Sequence, residues 1–208
     1  FVTPAGEKLL DFGQEITGIV SIKTRAARGT KIHITCAEML DAAGNFYNEN
    51  YRSAKSEMTY ICGGKEECWQ PELSFYGFRY LKVEGLDTLD VEDFRAKVIC
   101  SDMRRIGRLN SGIGKLNRLF DNVVWGQKGN FVDVPTDCPQ RDERLGWTGD
   151  AQVFINTACY QFDTKKFYTK WLEDMKVNQR ESGAIPMVVP DVLETNGQDI
   201  KASTAWAD

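Results

Sequence analysis

A change of hydrophobic period near residue 101 constrains this chain more than any other feature. Before it, apolar and polar residues alternate: Val20 and Ile22 face one way and Ile19, Ser21 and Lys23 the other, and Ile32, Ile34 and Cys36 repeat the pattern. Alternation at period two is the signature of half-buried strands. Met58 to Cys62 and Phe75 to Val83 add aromatic and branched runs. Turn chemistry separates these runs at ARGT (27–30), DAAGN (41–45), GGKEE (63–67) and EGLD (84–87). After Ser101 the period becomes helical. Ile113, Leu116, Leu119, Phe120, Val123 and Val124 recur at three and four residues, as do apolar residues in 150–162 and in 164–178. Asn110 or Ser111, Asp150, and Asp163 or Thr164 are the expected caps. The expected architecture is therefore multi-domain β plus α: an antiparallel β-sandwich over 1–101, then the opening helices of an all-α domain over 102–208. Three helices do not close a bundle of this width, so the chain is expected to be part of a larger protein.

Composition removes several function classes. The 208 residues are 42% hydrophobic and 27% charged, too apolar for a disordered chain. The apolar runs at Ile16–Ile22 and Ile185–Val189 are interrupted and far below the roughly 20 residues a membrane helix needs, so no membrane partner is expected. A net charge of -4 gives no basic stripe for nucleic acid. The single histidine, His33, alternates onto the polar side of its strand, so any proton transfer falls to carboxylates. The six cysteines form no C-x-x-C pair and are expected to be reduced; no metal or cofactor is expected. FVTPAGEKLL lacks signal-peptide features, which favours a cytoplasmic over a secreted location.

The chemistry concentrates in FVDVPTDCPQRDERLGWTGD, residues 131–150. It carries Asp133, Asp137, Asp142, Glu143 and Asp150 with Arg141, Arg144 and Trp147, and Pro135 and Pro139 keep it out of a continuous helix. A loop of this length between helices is often functional. Carboxylates accept paired hydrogen bonds from vicinal hydroxyls, guanidinium donates in a fork, and indole offers an apolar face to a sugar ring.

These residues also resemble a known family. DCPQRDERLGWTGDAQ, with VVWGQKGNF before it, is similar to the bacterial α-L-rhamnosidases of glycoside hydrolase family 78. The similarity extends through DFGQEITGIV, AEMLDAAGNFYNENYRSA and FYGFRYLKVEG. The resemblance implies a β-sandwich leading into an (α/α)6 barrel, and hydrolysis of terminal α-L-rhamnose with inversion. It implies Glu143 as general acid, Asp137, Arg141 and Asp150 as ligands of the rhamnose hydroxyls, and Trp147 as an aromatic wall. On a shorter match it adds Trp206 and Asp208. Inverting enzymes need two carboxyls roughly 6.5–9.5 Å apart, and the family's base comes from beyond Asp208. The 208 residues alone are thus expected to be inactive, with helical faces that need further helices or a second copy to cover them. If the base lies within them, Asp133, Asp191 and Glu194 are the first alternatives. The acid must hold its proton, so Glu143 is expected to titrate above the ordinary value of about 4.3.

Two other classes compete. One is a non-catalytic glycan-binding or interface module; the other is a polysaccharide lyase on a similar barrel. Lyases commonly use Tyr or His as base, and the helical half has no histidine.

Overall fold

The computed structural model describes residues 1–195 together with Ala202, Ser203 and Trp206. The chain divides into two compact units. The first holds Phe1–Ile99 and Pro139–Asp142; the second holds Cys100–Cys138 and Glu143–Asp208.

The first unit contains eight strands: β1 Leu9–Thr24, β2 Lys31–Ala37, β3 Met39–Leu40, β4 Phe46–Tyr47, β5 Glu57–Ile61, β6 Glu67–Trp69, β7 Tyr76–Glu84 and β8 Phe94–Val98. Six of them form one antiparallel sheet in the order β5-β2-β7-β1-β6, with β8 also on β1. At sixteen residues, β1 is long enough to serve several neighbours: β7 pairs with it up to Gly18, β8 from Gly18 to Ile22, and β6 from Ile22 to Thr24. The alternating side chains Val20, Ile22, Ile32, Ile34 and Cys36 are all buried, with Phe78, Leu81 and Val83 of β7 packed among them. The turn at 63–67 links β5 to β6, which pair with different strands, so it does not close a simple hairpin.

The β1–β7 register shifts between Asp11 and Ile16, where Gly13 takes a positive φ of 72°. Such a bulge re-aims side chains. Within it, both carboxyl oxygens of Glu15 are buried with no hydrogen-bond donor among the described residues. Burial, reinforced by the charge of Glu38, pushes the Glu15 carboxyl from 4.5 up to about 8; Arg79, engaged by both carboxyl oxygens of Asp11 at 2.8 Å, opposes this only weakly.

The second unit is built on α1 Gly114–Asn130, the short pair β9 Phe131–Val132 and β10 Val134–Pro135, α2 Thr148–Gln161, α3 Lys165–Asn178 and the single turn α4 Val192–Thr195. Its core is Phe131, Ala151, Ala158, Phe167, Tyr168, Trp171 and Val189. Phe131 stacks on Phe167 at 4.5 Å between ring centres, and Tyr168 meets it edge-on. Of the apolar stripe expected on α1, Val124 is buried, whereas Ile113, Leu116 and Leu119 are exposed. The caps also differ. α1 starts after Ile113 and α2 after Trp147, without a side-chain cap bond in either case. Asp150 therefore sits in the first turn of α2 and does not precede it, because Trp147 pairs with Val188 and starts the helix early. Among the described residues no helix is long and apolar enough to cross a membrane, and none of the six cysteines is in a disulfide.

Two stability predictions follow from these packing facts. Folded Glu15 holds its proton between pH 4.5 and about 8, where the unfolded chain has lost it. Its contribution is therefore complete below pH 4.5 and is lost as pH rises towards 8. Glu15→Gln should flatten that decline and leave the variant the more stable of the two at pH 8.5, measured by thermal melts from pH 5 to 8.5. In the second unit, Trp171 Nε1 donates to the Val189 carbonyl at 3.1 Å inside the core. Trp171→Phe should cost about 1–3 kcal/mol in urea unfolding, since it strands a buried acceptor.

Candidate active site

The segment from 131 to 150 is shaped by backbone bonds before any side chain acts. β9 and β10 turn tightly at Asp133, which takes a left-handed φ of 68°. Thr136 then returns to the end of α1, its N–H and hydroxyl both donating to the Asn130 carbonyl. Asp137 and Leu145 lock to each other twice. The Asp137 N–H donates to the Leu145 carbonyl at 3.1 Å, and the Leu145 N–H donates to Asp137 Oδ1 at 2.9 Å. Beyond this lock, Thr148 N–H bonds to Met187 O and Val189 N–H to Gly146 O, tying the start of α2 to the 187–189 segment.

Within the second unit, this brings together Asp137, Cys138 and Glu143, whose ligand atoms all lie within 4.8 Å of one another. Among the described residues they are the group that could offer three ligands to a metal. Glu143 Oε1 accepts from Trp147 Nε1 at 3.0 Å, and Arg144 at φ 57° turns the chain just after it. Trp147 in turn leans on Trp206, with ring centres 5.2 Å apart and planes tilted by 58°. Gly149 makes room for that second indole: a Cβ there would stand 2.7 Å from Trp206 Cε3.

A cavity of about 690 Å³ opens beside these groups, lined by α1, the 131–137 segment, the first turns of α2, and Trp206. Asp137 and Asp150 reach its wall. Small-molecule pockets commonly span about 300–1,000 Å³, so its size suits a sugar. Asp150, near the N-terminus of α2, lies where unpaired backbone N–H groups attract negative charge.

Arg141 and Asp142 belong to the first unit. There the charge of Arg141 favours the ionised form of Glu38. Asp142 is an ion-pair partner of Arg52 at 2.6 Å. Asp208 lies outside the described residues. The alternative bases are engaged elsewhere: Asp133 with Lys170 at 3.0 Å, and Asp191 and Glu194 with Arg180 at 3.4 and 3.7 Å.

Sequence reasoning missed Gln127 and Asn130, which line the cavity and each carry a buried carbonyl oxygen without a partner among the described residues. Both sit on a helix beside apolar neighbours, and only the third dimension separates them from solvated amides. The role of Gly149 was likewise hidden, although its place between Trp147 and Asp150 was in view.

Residues 2–100 match the family described as bacterial alpha-L-rhamnosidase concanavalin-like domain, and residues 104–208 that of the bacterial alpha-L-rhamnosidase 6 hairpin glycosidase domain. An α-L-rhamnosidase of Formosa agariphila is 41% identical over the whole chain. A solved α-L-rhamnosidase from Dictyoglumus thermophilum superposes with a TM-score of 0.92 at 33% identity, covering all of this chain and 23% of that one. The Streptomyces avermitilis α-L-rhamnosidase complexed with L-rhamnose gives 0.88 at 39% identity, over 90% of this chain and 18% of that one. The chain spans 22% of the length of the Formosa relative. With both units matched, and by relatives of one description, the chain belongs to the bacterial α-L-rhamnosidases.

Proposed function

We propose that the protein hydrolyses terminal α-L-rhamnosides with inversion, with Glu143 as general acid. The observation that carries this reading is the setting of Glu143: its carboxyl lies within 4.8 Å of Asp137 and bonds to Trp147. A neighbouring carboxylate favours the protonated form, which an acid must be in before it acts. Glu143 gives its proton to the glycosidic oxygen as the bond from that oxygen to the anomeric carbon breaks. Water attacks the opposite face and yields rhamnose of inverted configuration. Asp137 and Asp150 on the cavity wall accept hydrogen bonds from the rhamnose hydroxyls, Arg141 donates to them, and Trp147 and Trp206 together supply an aromatic wall. Asp208 accompanies them by resemblance. The general base is a carboxylate beyond Asp208; Asp133, Asp191 and Glu194 are occupied by Lys170 and Arg180. The named activity of the relatives supports the substrate class, as does the rhamnose held by the Streptomyces structure.

In the full-length protein, Glu143→Gln should lower kcat on natural rhamnosides by about 100-fold or more, the usual contribution of a positioned acid. Aryl rhamnosides with good leaving groups should suffer far less. Equal loss on both substrates, or none, would remove Glu143 from the role of acid. A glycan-binding module would instead bind rhamnosides without releasing rhamnose.

A second expectation concerns Trp147. Its N–H stabilises the ionised form of Glu143, so Trp147→Phe should make the proton harder to lose. The alkaline limb of the kcat/KM profile should move up by about one pH unit, equivalent to one hydrogen bond to a charged group. A downward shift would contradict the assignment.

A further inference from the structure

Two groups assigned to the sugar site flank the start of α2: Trp147 just before the helix and Asp150 in its first turn. Gly149 stands between them. On backbone grounds a glycine is the poorer choice there. Gly149 lies inside the helix and is not among the residues of positive φ, so its own conformation does not require it. Alanine is the better helix former, because glycine loses more freedom on folding. What leaves no space for a side chain is the Trp206 indole. A Cβ on Gly149 would stand 2.7 Å from its Cε3, 2.9 Å from Cδ2 and 3.3 Å from Cζ3, so the six-membered ring lies against bare helix backbone.

The helix is not free to step aside from a clash at this point. Thr148 is buried, and its N–H and hydroxyl both donate to the Met187 carbonyl, at 2.8 and 3.1 Å. Trp147 pairs with Val188, and Ala151 belongs to the core of the second unit. With its neighbours on both sides anchored, a larger residue at 149 is accommodated by movement of the indole. Trp147 limits that movement on another side, with ring centres 5.2 Å apart. Gly149 and Trp206 both line the cavity, so displacement of the ring changes the shape of that space.

We infer that Gly149 is a positioning residue for the aromatic wall: its missing side chain lets the Trp206 indole rest on the α2 backbone, and so sets where the wall stands in the cavity. This rests on the reading of Trp206 as part of the wall. It adds to that reading the residue that fixes the wall's place, and it explains why a poor helix former occupies the first turn of α2.

A double-mutant cycle in the full-length protein tests this, since residues in contact show coupling that independent residues do not. Gly149→Ala should raise KM for an aryl rhamnoside by about tenfold with kcat changed less than about threefold, because a wall touches ground and transition states alike. Trp206→Ala should also raise KM. In that background Gly149→Ala should change KM less than about twofold, as no indole remains to be displaced. Stability gives a second readout with a change of sign: Gly149→Ala should lower the urea midpoint while Trp206 is present and raise it once Trp206 is replaced. If Gly149→Ala alone does not fold, the double variant is compared with Trp206→Ala. A folded double variant of equal or higher midpoint supports the inference, and one that also fails to fold overturns it. An equal rise in KM in both backgrounds would make Gly149 a requirement of the helix itself and overturn the positioning role. A raised KM for Trp206→Ala with none for Gly149→Ala would overturn the role of Gly149 and leave the wall in place. An unchanged KM for Trp206→Ala would remove Trp206 from the wall, and the positioning role with it.

Discussion

The double lock between Asp137 and Leu145 is the interaction on which the rest of the site depends. Two hydrogen bonds, at 2.9 and 3.1 Å, close the excursion of the chain between Asp137 and Leu145 at its base. Everything between has its reach fixed by that closure, as a loop of this length would otherwise wander at little entropic cost. The carboxylate that performs the lock also borders the cavity, and it spends only one oxygen on Leu145 in doing so. Architecture and chemistry thus share a single side chain. Substituting Asp137 would therefore alter loop geometry and ligand contact together, and loss of activity at that position alone would not separate the two.

The fold was legible in the sequence because two periods were written in it without overlap. Alternation over 17–24 and 31–36 corresponds to β1 and β2, and the three-to-four spacing after 111 corresponds to α1. Strand order was not legible. The β5-β2-β7-β1-β6 arrangement follows from which faces meet in space, and β1 looks like an ordinary strand until its length is set against three neighbours. Helix starts were misread where tertiary pairing overrode capping preference, as at Trp147, whose bridge to Val188 begins α2 ahead of Asp150.

The site divides in the same manner. The density of carboxylates, guanidinium and indole between 131 and 150 pointed to chemistry, and the family resemblance implied roles for Glu143, Asp137, Arg141, Asp150 and Trp147. Charged residues that do their work away from water gave no such signal. No pattern in the sequence singles out Glu15 or Glu38, yet one has both oxygens enclosed and the other is half-buried and accepts from Asn50. A one-dimensional pattern separates inside from outside only where the pleat is regular, and the bulge after Asp11 breaks it.

The tilted pair of indoles has a consequence of another kind. Trp147 and Trp206 stand 5.2 Å apart at 58°, close and oblique enough for their ultraviolet transitions to couple and to give a two-signed circular dichroism band. One of the two is also hydrogen-bonded through its ring nitrogen to Glu143. A change in the protonation of that carboxyl acts on one member of the pair directly. The protein thus carries an intrinsic optical gauge at the point where its chemistry is expected, readable without label or substrate turnover.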